Sequence, residues 1–268
     1  MTAGTPPEIV SAIAAAQARS VLPLSVHWHS SLPSTMDAVR EAAEAGAPEG
    51  LVVIADAQTA GRGRRGHSWS SPAGAGIYVS FLFRPPAAMR GRRLSLLTLA
   101  AGVGVRRAIV AATGLAPGLK WPNDLLCGPR KLAGLLAEGL GLTTESAAVV
   151  IGVGVNVRRA SHPPAVERRA TSIEEELDRS ASRERLLEAL LVEVPAAYAL
   201  LRGGSAGDIL RAWREAAPSA CDAAVEWEGP SGPTQGVTAG IDDDGALLIR
   251  SGDRLERVIS GEVRWLCS

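Results

Sequence analysis

The chain has 268 residues, which suits one large domain or a core domain with a small second module. Its 28 basic and 28 acidic residues cancel, and 46% of its residues are hydrophobic. This composition excludes a largely disordered chain and argues against a nucleic-acid binder with a strong basic surplus. Only two of the basic residues are lysines, Lys120 and Lys131, so both are candidates for a site that needs a compact ammonium group.

Cysteine usage and the chain's apolar segments predict a cytoplasmic protein. Cys127, Cys221 and Cys267 are odd in number and widely spaced, which favours neither a disulfide framework nor a zinc site. The N-terminal segment lacks the basic and apolar regions of a signal peptide. No window approaches 18 uninterrupted apolar residues, so we expect no membrane span and no membrane partner.

The first half of the chain alternates helix and strand signals. Ser34, with Asp37 three positions later, predicts the N-cap of a helix. The continuous apolar runs that follow it are typical of buried strands and of a buried helix. The predicted elements are a helix at 7–19, a strand at 26–28, a helix ending at Gly46, strands at 51–57 and 77–83, and a helix at 94–112.

The second half changes character near Pro218. Before it, three strands are predicted in GLKWPNDLLC, KLAGLLAEG and AAVVIGVGVNV, followed by a capping box at 171–175 and two amphipathic helices. After it, short apolar stretches separated by GPSGP, DDDG and SGD turns predict a small β-barrel. The predicted domains are an N-terminal helical extension at 1–24, an α+β body at 25–216 and an all-β module at 217–268.

The most distinctive segment is the loop from Gln58 to Gly66, with the sequence QTAGRGRRG. It contains the pattern G-x-G-x-x-G, but HSWSSPAGAG and another strand follow where a dinucleotide site needs a helix. A glycine-containing loop with three arginines can instead fold over an anion, and each guanidinium then offers a fork of N–H donors to phosphate or carboxylate oxygens. A solvated basic loop or an RNA-binding stretch is the alternative, and the zero net charge argues against RNA.

Three further segments place polar residues or glycines inside strand patterns. In KWPND, Pro122 breaks the strand ladder and turns Asn123 and Asp124 outward, although an ordinary turn is the alternative. In KLAG, Lys131 either lies against a ligand close to the backbone or is an edge-strand lysine. The glycines of GVGVN, residues 152–156, indicate close approach by a ligand or packing against a helix.

Ser34-Thr35, QTAGRGRRG, KWPND, KLAG and GVGVN occur in the order and approximate spacing of the biotin–protein ligases, and the chain resembles that family. The resemblance covers about residues 25–216 as a catalytic body and extends to an SH3-like C-terminal domain. It implies an α+β fold, with a mixed sheet and flanking helices like that of class II aminoacyl-tRNA synthetases, plus a small SH3-like β-barrel. It also implies an ATP-dependent ligase that forms biotinyl-5′-AMP and transfers biotin to one lysine of a biotin carboxyl carrier protein.

The resemblance implies a role for each motif residue. Lys131, Arg64 and Arg62 would be catalytic, since together with Mg²⁺ they offset charge as the biotin carboxylate attacks the α-phosphate of ATP. The biotin site would comprise Ser34, Thr35, Gln58, Gly61, Arg62, Gly63, Arg64, Lys131, Gly134, Gly152 and Gly154. The ATP or adenylate site would comprise Trp69, Asn123, Asp124 and Asn156.

Two positions depart from the family pattern. Met36 stands where the family usually has Asn, and His67 stands where its loop usually ends in Arg. These departures keep open a biotin-binding module without catalysis, and a lipoate–protein ligase is the other alternative. Few residues precede the catalytic body, so we expect no N-terminal DNA-binding domain and no DNA partner, whereas a homodimer is compatible with the sequence.

Overall fold

The computed structural model describes residues 4–89, 94–144, 146–159, 169–229, 232–261 and 263–266. The larger of its two sheets has seven strands in the order β1-β2-β3-β7-β6-β5-β4. The pair β1–β2 is parallel and every other pair is antiparallel, which confirms the predicted mixed sheet. Its strands are β1 (Ser25–Leu32), β2 (Leu51–Gln58), β3 (Gly76–Phe83), β4 (Gly118–Lys120), β5 (Asp124–Cys127), β6 (Arg130–Leu140) and β7 (Ala148–Asn156).

Helices cover both faces of this sheet. The described helices are α1 (Pro7–Arg19), α2 (Thr35–Glu44), α3 (Leu94–Thr113), α4 (Ile173–Leu177), α5 (Arg183–Arg202) and α6 (Ala206–Ala216). On β2, Val52 and Ile54 enter the large core shared with α1, α3, α5 and α6, while Leu51 and Val53 enter a smaller core under α2. Because β2 is buried on both faces, neither face needs polar side chains for contact with water. This explains the continuous apolar run in its sequence.

α3 is the one described helix long and apolar enough to cross a membrane by length and composition. Of its most apolar window, 67% is buried inside the protein, where the helix packs on α5. The same all-round apolar pattern is typical of a helix in the centre of a globular core.

The C-terminal region forms a five-stranded antiparallel sheet in the order β11-β10-β9-β8-β12. This agrees with the predicted SH3-like module and adds β12, which the sequence did not predict. The sheet contacts the body through Trp121, whose indole Nε1 donates to the Gly245 carbonyl at 3.0 Å. Its strands are β8 (Cys221–Gly229), β9 (Gly232–Ile241), β10 (Leu247–Ser251), β11 (Arg254–Val258) and β12 (Val263–Trp265).

Local details confirm some predictions and correct others. Ser172 caps α4 by accepting from the Glu175 amide, as the capping box predicts. β1 is longer than the predicted 26–28, because pairing with β2 extends it to Leu32. No α-helix follows the Gln58–Gly66 loop: a 3₁₀ turn at Arg64–Gly66 leads to β3, so the loop lacks a dinucleotide-binding helix.

The cysteines that the structure describes are both free thiols. Cys127 ends β5 and is half-buried, and burial with the nearby charge of Glu176 raises its pKa to about 11. Cys221 begins β8 and is exposed. The third cysteine of the predicted trio, Cys267, lies outside the described residues.

Candidate active site

The sequence motifs meet at a cleft of about 320 Å³ beside the glycine-containing strands of the large sheet. Its walls are the start of α2, the loop after β2, the turn between β4 and β5, and the end of the C-terminal sheet. The predicted site residues that line it are Ser34, Thr35, Gln58, Arg62, Gly63, Arg64, Trp69, Asn123, Asp124, Lys131, Gly134, Gly152 and Gly154.

The glycines of β6 and β7 form the floor of the cleft. Gly134 and Gly154 are paired across the two strands, and the indole of Trp69 lies directly on them. A Cβ atom on Gly154 would come within 2.5 Å of Trp69 Nε1, and one on Gly134 within 3.0 Å of Trp69 Cζ3. These glycines are therefore required by close approach. For Gly154 the approaching group is an aromatic side chain of the loop after β2, and not the ligand or helix that the GVGVN pattern predicted.

One end of the cleft is built from uncharged polar side chains. The Thr35 amide donates to Gln58 Oε1 at 2.9 Å, and Gln58 Nε2 donates to Ser71 Oγ at 2.8 Å. The hydroxyls of Thr35 and Ser80 are hydrogen-bonded at 2.8 Å. Gln58 is thus held in one orientation. Ser34 occupies the N-cap position of α2, but its hydroxyl makes no capping hydrogen bond.

The middle of the cleft is cationic. Lys131 Nζ lies 2.7 Å from Asp124 Oδ1 and 5.3 Å from the centroid of the Trp69 ring. Arg64 Nη1 donates to Asn123 Oδ1 at 3.2 Å, and Asn123 Nδ2 donates to the Leu135 carbonyl at 2.7 Å. The KWPND turn, which includes a cis Trp121–Pro122 bond, therefore places an amide and a carboxylate beside the two cations.

Arg62 has carboxylate partners that the sequence analysis did not anticipate. Its guanidinium donates to both oxygens of Glu138 and to Asp37 Oδ1, the latter at 2.8 Å. Burial alone would lower the pKa of Arg62, but the hydrogen bonds and charges of Glu138 and Asp37 raise it. Arg62 is therefore a fixed cation, and its guanidinium is already bound on two sides.

Three buried polar atoms among the described residues lack a hydrogen-bond partner: Ser34 Oγ, Trp69 Nε1 and Asp124 Oδ1. Asp124 Oδ1 is close to Lys131 Nζ, but the geometry is that of an ion pair and not of an aligned hydrogen bond. Ser34 Oγ and Trp69 Nε1 have neither kind of partner, and burying such a polar group is costly unless a ligand or a water molecule hydrogen-bonds it. All three belong to residues that line the same cleft.

The regions of the chain that form the cleft also match known protein families. The family model for the biotin/lipoate A/B protein ligases matches residues 28–156, and that for the biotin protein ligase C-terminal domain matches 223–264. A biotin–[acetyl-CoA-carboxylase] ligase of Mycobacterium tuberculosis is 35% identical over 231 residues, which cover 85% of this chain and 83% of the relative. The chain belongs to the biotin–protein ligase family.

Another relative and a solved structure agree with this assignment. The biotin–[acetyl-CoA-carboxylase] ligase of Paracoccus denitrificans is 34% identical over 74% of this chain and 83% of its own length. The biotin protein ligase of Aquifex aeolicus, solved in complex with biotin and ATP, superposes with a TM-score of 0.78 at 27% identity. That superposition covers 91% of this chain and 99% of the other.

Two residues predicted for the ligase site do not line the cleft. Asn156 ends β7, and its side-chain amide donates to the carbonyls of Thr171, at 3.0 Å, and Lys131, at 3.5 Å. Gly61 is buried beneath the loop, where a Cβ atom would be 2.8 Å from Ser71 Oγ. Both residues lie behind the lining and support the segments that form it.

The two departures from the ligase pattern lie in different environments. Met36 is 3% exposed and lines the cleft, with its sulfur 2.5 Å from the position of a Cβ on Gly152. The glycine therefore makes room for the longer side chain. His67 is exposed at the end of the loop, where its carbonyl accepts from the Gly63 amide at 2.7 Å.

The C-terminal sheet contributes to the cleft in a way that the sequence did not predict. Gly261, Val263 and Trp265 line it, and the Trp265 ring lies 4.3 Å from Lys120 Nζ. Lys120 was a candidate site residue because lysines are scarce in this chain. No local sequence pattern connects it to Trp265, which lies 145 positions away. Asp37 and Glu138 were missed for the same reason, because their partner Arg62 is distant in sequence.

Proposed function

We propose that this chain activates biotin with ATP to form biotinyl-5′-AMP and then transfers biotin to a lysine of a biotin carboxyl carrier protein. One observation carries the assignment of residues: an uncharged polar end and a cationic middle share a single cleft, and the buried hydroxyl of Ser34 in that cleft has no hydrogen-bond partner among the described residues. A molecule with a ureido ring at one end and a carboxylate at the other matches that division.

The polar end would bind the ureido ring. The hydroxyl of Ser34 is buried and available, so it can hydrogen-bond the ring, while Gln58 holds the Thr35 backbone beside it. Gly63 lines the cleft, so its backbone can approach the ring closely, whereas Gly61 lies behind the lining and supports it. The cleft is also lined by the apolar side chains of Met36, Leu136 and Val153, which would contact the aliphatic tail.

The cationic middle would carry out the first step. A carboxylate oxygen of biotin attacks the α-phosphorus of ATP, and the bond from that phosphorus to the leaving pyrophosphate breaks. Lys131 and Arg64 bring the two anions together and stabilise the charge that develops on the phosphoryl oxygens. Because the ammonium of Lys131 is compact, it can contact the carboxylate and the phosphate at once.

The adenylate would lie toward Trp69, Asn123 and Asp124. Asp124 supplies a carboxylate at the cleft, and Mg²⁺ in nucleotide sites commonly takes one or two carboxylates together with phosphate oxygens. Mg²⁺ bound there with ATP would offset phosphate charge. Asn156 would act indirectly, since it fixes the backbone of Lys131.

In the second step, the neutral amine of the carrier lysine attacks the carbonyl carbon of the mixed anhydride. The bond from that carbon to the phosphate oxygen breaks, AMP leaves, and the nitrogen releases one proton as the amide forms. Lys131 and Arg64 stabilise the departing phosphate. We also propose that the chain works in the cytoplasm without DNA, with domain boundaries at 24/25 and 216/217, and that a homodimer is compatible with this activity.

The test is biotin-dependent exchange of labelled pyrophosphate into ATP, followed by transfer of biotin to a purified carrier domain. The proposal expects both activities with biotin and neither with lipoate. Exchange with lipoate instead would identify a lipoate ligase. Tight biotin binding without exchange would identify a binding module that has lost catalysis.

A further inference from the structure

The Arg-rich loop is tied to the body of the protein through one side chain. Arg62 reaches Asp37 in the first turn of α2 and Glu138 on β6, which lie 25 residues before it and 76 residues after it. Both nitrogens at the end of the guanidinium contact Glu138, so this pair is bidentate. Arg62 therefore links the loop to both α2 and β6, which are far from it in sequence.

This arrangement separates the roles of the two loop arginines. Arg64 donates to Asn123 beside Lys131, in the part of the cleft assigned to the reacting anions. Arg62 also lines the cleft, but its guanidinium is shared between two carboxylates and is about one third exposed. A guanidinium bound to two carboxylates has few N–H donors left for a third anion. Its two partners instead hold the backbone of the loop in place.

We propose that Asp37 and Glu138 are positioning residues that hold the loop 61–67 over the cleft by binding Arg62, and that they control retention of biotin instead of the chemical step. This inference rests on the proposed function, because the loop is assigned there to the biotin site. The bidentate partner, Glu138, contributes more than Asp37, which also binds Arg40 at 3.0 Å.

Glu138→Gln tests the proposal because it keeps the shape of the side chain and removes its charge. Two measurements are made: trypsin cleavage after Arg62, Arg64 and Arg65 without ligand, and the KM for biotin in pyrophosphate exchange. We expect cleavage about tenfold faster and KM about tenfold higher, with kcat changed less than about threefold, since loss of a charge-assisted fork loosens the loop and speeds biotin release.

The chain offers a matched control in Arg40→Gln, which removes the other arginine bound to Asp37 without touching the loop. It is expected to behave as wild type in both measurements. Asp37→Asn is expected to change them in the same direction as Glu138→Gln but less. In an Arg62→Gln background, Glu138→Gln should add no further increase in KM, because residues that act through one contact are not additive.

Unchanged cleavage and KM in Glu138→Gln, with an unfolding midpoint like that of wild type, would overturn the proposal. A fall in kcat with unchanged KM would also overturn it, because it would place the residues in the chemical step. Absence of biotin-dependent exchange in the wild-type enzyme would refute the proposed function, whereas the trypsin comparison would still test the contact itself.

Discussion

At the scale of single residues, Lys131 and Lys120 differ in what surrounds their ammonium groups. Lys131 Nζ lies between the Asp124 carboxylate and the Trp69 ring, and a Cβ on Gly134 would come within 3.0 Å of it. Lys120 instead faces the flat side of Trp265. A planar guanidinium could stack on an aromatic face such as that beside Lys120. Between two anions, as expected at Lys131, it needs more space than an ammonium group does.

Lys131→Arg is therefore expected to lower the rate of biotin-dependent pyrophosphate exchange by more than about tenfold, a barrier increase of about 1.4 kcal/mol or more. Lys120→Arg is the matched control and is expected to lose less than about threefold, because the guanidinium can still stack on Trp265. Exchange at nearly the wild-type rate in Lys131→Arg would show that the compact ammonium is not needed.

Gly154→Ala tests the floor of the cleft. The added methyl group would come within 2.5 Å of the Trp69 indole, so the ring must move away from the floor and into the space of the cleft. We expect the Kd for biotin, measured by calorimetry, to rise by about tenfold, because overpacking of this kind commonly costs 1–3 kcal/mol. Gly207→Ala on α6 is the control, because a Cβ there has no neighbour within 4 Å; equal affinity in both variants would contradict the prediction.

At the scale of elements, the site is formed where strands end. The loop after β2 and the turn between β4 and β5 bring their polar residues to the glycine-containing ends of β6 and β7. The strand β12 closes the cleft from the other sheet. Its Trp265 is held by a hydrogen bond from Nε1 to the Ser219 carbonyl at 3.2 Å.

Lys120 begins the KWPND segment, whose Asn123 and Asp124 are assigned to the adenylate. Trp265→Leu removes the aromatic face beside Lys120 and is therefore expected to raise the KM for ATP about threefold to tenfold, given the usual strength of cation–π contacts. The Kd for biotin should stay near the wild-type value, because the polar end of the cleft is untouched. Trp265→Phe keeps an aromatic face and loses only the indole donor. If Phe and Leu have the same effect, the cation–π contact is not the cause.

At the scale of the whole molecule, the two sheets share buried contacts. The Trp121 side chain is 3% exposed and donates to the Gly245 carbonyl, and Ser95 Oγ donates to the Asp244 carbonyl. These bonds connect the KWPND turn and the start of α3 to one turn of the C-terminal sheet. The C-terminal sheet thus supports the KWPND turn as well as the edge of the cleft.

Trp121→Phe leaves the Gly245 carbonyl without its donor, which is expected to lower the free energy of unfolding by about 1–3 kcal/mol. Urea denaturation followed by far-UV circular dichroism measures this change. An unfolding free energy equal to that of wild type would show that this hydrogen bond contributes nothing to stability.

Much of the fold could be predicted because local patterns specify local structure. The helices at 7–19 and 94–112 and the strands at 51–57 and 77–83 agree with the structure to within a residue at each end. β12 was missed because a strand of three residues carries too little periodicity. The length of β1 was missed because its burial pattern is irregular and pairing with β2 defines it.

The sequence alone determined which residue types are available at the cleft: the glycines, the two lysines and the Arg-rich loop are visible in order along the chain. Only the tertiary structure decided which of them touch. Arg62 meets Glu138, Lys120 meets Trp265, and Trp69 covers Gly154 through contacts between residues far apart in sequence. Such contacts follow from strand order and sheet packing, and no local pattern records them.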